Sequence, residues 1–365
     1  MQDYEKPIDE SIIEKRLLGL PTQRVGYSDR TAWLMATMSQ LAYFKFEDQS
    51  TIEQISADLA ELSGKEEISK YLEKIVAALD MGNKNDRREV LDQILRAADF
   101  KLVEIFDVGS TQAFLARRIT DDDKAKMLVL AFRGTEKNLQ DWKVDIKAKL
   151  VPAKGEARIG RIHEGFQDAY YSVEQLIENQ LEKFPGVPLY ITGHSLGGAL
   201  AVVATRFIHA RNLAACYTYG CPRVGDLALA KVFKTPIYRH VNASDVVARL
   251  PLGDGYRLFL KISKFAISFF PKFAILEKLY GYLDMMTGYT HYGDQRYLTA
   301  VKPGVSDTYP DLDLISNPSF FLLLERFWKR AAKTKGKGLI NDHSIGIYRA
   351  KLRARAISRN LDQAQ

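Results

Sequence analysis

One short arrangement in this chain has the makings of reaction chemistry: Gly193-His194-Ser195-Leu196-Gly197, preceded by the apolar run VPLYIT and followed by the alanine-rich segment GALAVVATR. A serine forced onto a sharp strand-to-helix turn projects its hydroxyl out of the sheet, and flanking glycines are needed because side chains there would collide with neighbouring backbone. The helix that follows turns its free N–H groups and positive dipole end toward the bend, which favours an oxyanion. Ser195 is therefore the candidate nucleophile for an acyl transfer. Pro185, Pro188 and the glycine cluster prevent this long uncharged stretch from forming one membrane-spanning helix.

A serine needs a base, and behind such an elbow the partners follow in the order serine, acid, histidine. Of six histidines, His163 precedes the serine, His194 sits in the elbow, His209 lies on the elbow helix, and His240 falls inside a predicted strand. His291 and His343 remain. His343 follows the loop KTKGKGLIND and precedes the basic helical segment IGIYRAKLRARAISR, where the loop of a final strand would bring a base to the rim; it is the expected base. His291 precedes the strand-like run QRYLTAV and is the alternative.

The acid should leave a strand on the same rim. Asp245 ends PIYRHVNASD and is the expected orienter of the imidazole. Among its competitors, Asp226 is better explained as a helix start and Asp254 as part of a glycine-flanked turn, while Asp342 lies too near His343 in sequence to orient it easily. Two donors should face the oxyanion. One is the backbone N–H of Leu196, and the second is expected from Arg133-Gly134-Thr135 after the strand KMLVLAF, with Thr135 donating.

Stepping outward, residues 1–98 read as a helical segment packing on the core, with TAWLMATMSQLAYF, IEQISADLAEL, EISKYLEKIVAAL and EVLDQILRAA placing apolar residues three and four apart. From Phe100 the pattern becomes KLVEIFDVG, QAFLARRIT and KMLVLAFRG, three strands of which two form a hairpin. A helix at LQDWKVDIKA and a long helix over 164–183 precede the elbow; AACYTYG, a helix near DLALAKVF, and PIYRHVNAS follow it. This alternation predicts an α/β fold with a mostly parallel central sheet covered by helices on both faces, occupying residues 99–365.

The bulk composition fits a globular protein, with 46% hydrophobic and 11% aromatic residues. The two cysteines, Cys216 and Cys221, make neither a disulfide framework nor a zinc site. The charged start MQDYEKPIDESIIEKR lacks a signal core, so a cytoplasmic location or export without a signal peptide is expected. A net charge of +7 favours anionic partners. The basic residues do not fall into a nucleic-acid module, which leaves an anionic membrane or lipid-droplet surface for peripheral contact.

Taken together, Phe132-Arg133-Gly134-Thr135, Asp141-Trp142 with Asp145, His163-Glu164-Gly165-Phe166, Gly193 to Ala199, Tyr219-Gly220-Cys221-Pro222-Arg223-Val224-Gly225, and Asn242 through Pro251 resemble the class 3, or fungal-type, lipases of the α/β-hydrolase superfamily. The resemblance covers roughly residues 126–343 in the same order. It implies Ser195, Asp245 and His343 as a catalytic triad, Thr135 and Leu196 at the oxyanion hole, structural places for His163 and His291, and a mobile lid over 136–147. The chain departs from the family where a proline often follows the acid, reading Asp245-Val246-Val247-Ala248, and in an insert at 256–288.

That insert mixes Phe, Leu and Ile with spaced lysines, as an interfacial helix or a lid-like cover would. SFFLLLERFWKRAAKTKGKG near the C-terminus has the same character. The expected function is a triacylglycerol lipase cleaving lipid esters through an acyl-enzyme, without metal or organic cofactor. The rivals are a phospholipase A, a soluble-ester carboxylesterase and, from a different class, an inactive lipid-surface binding module.

Overall fold

A computed structural model describes residues 26–43, 84–119, 126–134, 149–154, 159–209, 212–251, 288–304, 309–334 and 338–361. In chain order these form α1 (Asp29–Leu41), α2 (Lys84–Ala97), β1 (Phe100–Val108), β2 (Thr111–Arg118), β3 (Leu128–Phe132), β4 (Leu150–Pro152), β5 (Arg161–His163), α3 (Glu164–Tyr171), α4 (Glu174–Leu181), β6 (Leu189–His194) and α5 (Leu196–Phe207). There follow β7 (Leu213–Tyr219), α6 (Leu227–Ala230), β8 (Ile237–Asn242), a 3-10 turn (Val247–Arg249), β9 (Asp294–Leu298), β10 (Leu314–Ser316), α7 (Phe320–Thr334), α8 (Gly338–Asn341) and α9 (Ile345–Leu361).

The eight-stranded sheet runs β1-β2-β3-β6-β7-β8-β9-β10. Strands β3, β6, β7, β8 and β9 are mutually parallel, β1, β2 and β10 add antiparallel edges, and β4 and β5 form a separate antiparallel pair. The expected mostly parallel sheet between helical layers is therefore present. Successive side chains of a strand point to opposite faces, and the core divides accordingly. Val129, Ala131, Tyr190, Ala215 and Tyr217 join α1, α2 and α9 on one face. Leu128, Leu130, Ile191 and Cys216 join α3, α4 and α5 on the other.

Helix α1 explains why an N-terminal segment belongs to this core. It is buried on nearly every side, held between β6 and α9, and it carries few charges because a helix covered all round has no solvent face to spend them on. Its polar groups are matched individually: Ser39 Oγ lies 2.8 Å from Thr192 Oγ1, and Tyr219 Oη donates to the Ala32 carbonyl at 2.5 Å. The helices expected at IEQISADLAEL, EISKYLEKIVAAL and LQDWKVDIKA lie outside the described residues.

The single long helix expected over 164–183 is two helices, α3 and α4. The Ala169 carbonyl, which would accept the Val173 N–H in a continuous helix, instead receives the Ser172 hydroxyl at 2.7 Å and the Thr111 hydroxyl at 2.9 Å. Val173 N–H turns to Tyr170 O. Side-chain hydroxyls compete with the backbone ladder here. The pairing of β4 with β5 and the edge strand β10, each three residues long, had no clear periodic signature in sequence.

Candidate active site

The elbow forms where β6 meets α5. Ser195 takes φ 57° and ψ −127°, a conformation that L residues adopt only under constraint from their surroundings. Its N–H donates to Tyr219 O at 2.9 Å, pinning the bend to the neighbouring strand. A side chain at Gly193 would collide with the backbone of Gly197, so the tightness of the turn dictates that glycine. Gly197 in turn lies against Phe132 O and the Arg133–Gly134 peptide, which brings the start of α5 against the loop leaving β3.

Ser195, Asp245 and His343 come together. Ser195 Oγ lies 2.9 Å from His343 Nε2, and His343 Nδ1 lies 3.0 and 2.9 Å from Asp245 Oδ1 and Oδ2. Since Asp245 is an acceptor when ionised, Nδ1 carries a proton toward it, leaving Nε2 free to accept from the serine hydroxyl. The Asp245 carboxylate is fully buried, and two further donors satisfy it: Val247 N–H to Oδ1 at 2.9 Å and Tyr348 Oη to Oδ2 at 2.7 Å. A buried carboxylate needs such donors to remain charged.

The two loops that supply acid and base are tied directly. Asn242 Nδ2 donates to the Asp342 carbonyl at 2.8 Å, and Ser244 N–H donates to Asp342 Oδ2 at 3.1 Å. Arg330 closes the tie from α7, its guanidinium 2.8 Å from Asp342 Oδ1. Asp342 thus leaves the orienting of His343 to Asp245 and holds the backbone of both loops instead. His343 is delivered by the turn between α8 and α9 and not by a loop straight off a strand, because β10 is followed by α7 and α8.

His194 grips the base from behind. Its Nε2 donates to the His343 carbonyl at 2.6 Å, and its Nδ1 accepts from Tyr43 Oη at 2.9 Å. Burial, reinforced by His343 nearby, holds its pKa well below the ordinary imidazole value, so the ring is neutral. Tyr43 carries no sequence signal that marks it for the site, and Asp342, set aside in sequence as the acid, holds the two loops instead. The sequence signal available for Tyr348 is its position five residues beyond His343, on the helix that follows it.

Gly220, at φ +56°, belongs to the same shell. A side chain there would stand 2.6 Å from Asp245 Oδ2 and 2.8 Å from His343 Nδ1, so only glycine lets the acid and base pack against β7. The other histidines lie elsewhere. His291 is partly buried and bonded to Ala248 O at 2.8 Å, and His163 is stacked on Phe166 with ring centroids 4.0 Å apart. Asp226 caps α6 by accepting from Leu229 N–H, as its sequence context predicts.

Leu196 begins α5 directly after Ser195, in the first turn, where the helix itself supplies no carbonyl for its N–H. Gly134 lies alongside, close to the His194 carbonyl. Thr135, Asp254, the 136–147 segment and all but the last residue of the 256–288 insert lie outside the described residues. Among the described residues, no group of three or more His, Cys, Asp or Glu side chains is placed to hold a metal ion. Cys216 and Cys221 are buried free thiols, and burial pushes the Cys216 thiol up to about 12.

Comparison with known proteins bears on the same stretch. Residues 129–255 match the family model described as lipase (class 3), a span that holds β3, the elbow and Asp245 and stops short of His343. A lipase from Rhizomucor miehei is 34% identical over 169 residues, covering 42% of this chain and 45% of that protein. A triacylglycerol lipase of Arabidopsis thaliana is 26% identical over 200 residues, covering 40% and 38%. A secreted mono- and diacylglycerol lipase of Fusarium solani is 29% identical over 164 residues, covering 42% and 49%.

The chain spans less than half the length of each of these relatives. The solved structure of lipase II from Rhizopus niveus aligns with 73% of this chain and 85% of its own, at 21% identity and a TM-score of 0.43. The strand order β1-β2-β3-β6-β7-β8-β9-β10 and the elbow between β6 and α5 define the fold of this chain. From the strand before the elbow to the loop of the acid, residues 129–255 are similar to the class 3 lipases.

Proposed function

We propose that this protein is a serine hydrolase of carboxylic esters that cleaves acylglycerols, with Ser195 as nucleophile, His343 as proton carrier and Asp245 as the carboxylate that orients it. The observation that carries this reading is the 2.9 Å approach of Ser195 Oγ to His343 Nε2, with the opposite ring nitrogen on Asp245. Relatives named lipase, triacylglycerol lipase and mono- and diacylglycerol lipase support the substrate class.

The chemistry follows from the geometry. As Ser195 Oγ bonds to the ester carbonyl carbon, its proton passes to His343 Nε2, and the imidazolium is stabilised by the buried Asp245. The backbone N–H of Leu196 and a donor from Thr135 receive the oxyanion. The tetrahedral adduct collapses, the glycerol oxygen leaves with the proton from Nε2, and an acyl group remains on Ser195. Water repeats the sequence, giving its proton to His343 and releasing the fatty acid. Because such esters are poorly soluble, the reading includes peripheral contact with a lipid surface.

The test is hydrolysis of a triacylglycerol chain-length series and of phosphatidylcholine, below and above substrate aggregation, by wild type and Ser195→Ala. The reading expects acylglycerol turnover that rises on aggregation and vanishes in the variant. Turnover of phosphatidylcholine alone would reassign the substrate class, and turnover surviving in Ser195→Ala would refute the mechanism.

A further inference from the structure

Helix α7 is fifteen residues long and has no fully buried side chain, yet its sequence FFLLLERFWKRAAKT is rich in large apolar groups. Phe321 is 79% exposed and Trp328 64%, and Phe320 is exposed beside them. Phe321, Leu324 and Trp328 recur three and four residues apart, so they lie along one outward stripe. Leu323, Arg326, Phe327 and Arg330 point the other way. Leu323 packs on the small cluster around Val241 and Ala248, the Arg326 guanidinium lies 5.7 Å from the Tyr297 ring centroid, and the Arg249 guanidinium lies 4.8 Å from that of Phe327.

The inward side touches both loops of the site. Arg249 lies four residues after Asp245, and Arg330 pairs with Asp342, the residue before His343. An apolar stripe is therefore held rigidly next to the acid and the base, facing outward. Alongside it run Lys329, whose side chain is 75% exposed and bridged to Glu325 at 2.5 Å, and Lys333 one turn further. Apolar rings in a stripe with lysines along one side match a surface that is apolar beneath and anionic at its rim.

We propose that α7 is the membrane-docking element of this protein, lying flat on an anionic phospholipid bilayer with Phe321 and Trp328 inserted among the acyl chains and Lys329 and Lys333 at the phosphates. At about 1.5 Å per residue the helix is about 22 Å long, too short to cross the hydrocarbon core. Among the described residues no helix is long and apolar enough to do so. The net charge of +7 favours the anionic over the neutral surface. The proposal takes lipid as the substrate class from the preceding reading and adds which face meets it: docking here sets the mouth of the site against the surface.

Trp328 supplies the probe, since Trp33 is buried in the core and Trp142 can be replaced by Phe. In the full chain carrying Ser195→Ala and Trp142→Phe, vesicles of phosphatidylglycerol should shift Trp328 emission to the blue, and brominated acyl chains should quench it. Phosphatidylcholine vesicles should do so weakly. Phe321→Ser with Trp328→Ser should lower vesicle binding, read by sedimentation, by about tenfold or more. Lys329→Gln with Lys333→Gln should lower binding to the anionic vesicles alone, by about fivefold or more.

On a Ser195 background these exposed substitutions should leave hydrolysis of a monomeric soluble ester unchanged. Trp328 emission that ignores vesicles would overturn the docking proposal. So would Trp328 already shielded from acrylamide in their absence, which would mean that residues 252–287 cover the stripe, and so would self-association abolished by the Phe321/Trp328 variant, which would mean that a second copy does. Because binding is measured without turnover, vesicle binding in a protein that hydrolyses no ester would sink the hydrolase reading and leave the docking one standing.

Discussion

The imidazole of His194 donates its Nε2 proton to the backbone carbonyl of His343 at 2.6 Å, so the residue beside the nucleophile holds the main chain of the base. Ser195 and His343 lie 148 residues apart, and this bond ties their backbones independently of the triad itself. His194→Ala should lower kcat by roughly 10- to 100-fold with little change in KM, because a small misplacement of the base costs rate more than binding. His194→Gln can still donate to the carbonyl and should recover part of the loss. Equal rates for the two variants, measured on a soluble ester, would show that the hydrogen bond does not position His343.

Tyr348 joins acid and strand through one hydroxyl. It donates to Asp245 Oδ2 at 2.7 Å and accepts from Asn242 N–H at 2.8 Å, fully buried. Tyr348→Phe keeps the ring and strands both partners, so unfolding free energy should fall by about 1–3 kcal/mol, the cost of leaving buried polar groups unmade. Activity should fall with it. Urea unfolding measures the first and steady-state kinetics the second; a variant as stable and active as wild type would contradict the roles assigned to both bonds.

Much of this arrangement was legible in the sequence. The elbow could be read because its glycines are dictated by local backbone contacts, and the order serine, acid, histidine then reduced six histidines to two candidates. Asp226 could be set aside because a helix cap has a local signature. The clamp around the triad could not be read in the same way. Tyr43, Asp342 and Tyr348 bond to residues 98 to 151 positions away, and no local spacing encodes such pairs. The break between α3 and α4 was hidden for the same reason, since one of the two hydroxyls on Ala169 O comes from Thr111 in a distant strand. Helix α1 was legible as a helix, while its complete burial depends on α9 at the far end of the chain.

Acid should unfold this protein through its buried histidines. Burial lowers His163 to about 4 and His240 to about 3, and holds His194 and His291 well below the ordinary value. Their folded-state pKa values lie below the unfolded value of about 6.5, so between the two the unfolded chain binds more protons and stability drops as pH falls. Each such group contributes a slope of up to about 1.4 kcal/mol per pH unit in that window. Denaturant midpoints at pH 7, 5.5 and 4.5 should decline progressively, and His240→Gln should flatten the slope. A midpoint constant over this range would contradict neutral burial of these rings.

The tie between the loops of acid and base predicts a coupled loss. Asp342→Ala removes the acceptor of Ser244 N–H and leaves Arg330 without its carboxylate. The melting temperature and kcat should fall together, with kcat reduced about tenfold or more by loosening of both loops. Thermal unfolding and kinetics on the same preparation check this, and an unchanged kcat in a destabilised variant would confine Asp342 to folding.

The central claim is that Ser195 becomes a nucleophile because His343, held by Asp245, takes its proton. Rapid quenching during turnover of an activated butyrate ester, followed by mass spectrometry of the peptide containing residue 195, tests it most directly. The account predicts a transient butyryl adduct on Ser195, no adduct in Ser195→Ala, and a rate in that variant lower by roughly ten-thousandfold or more. An adduct on another residue, or turnover in Ser195→Ala near the wild-type rate, would contradict it.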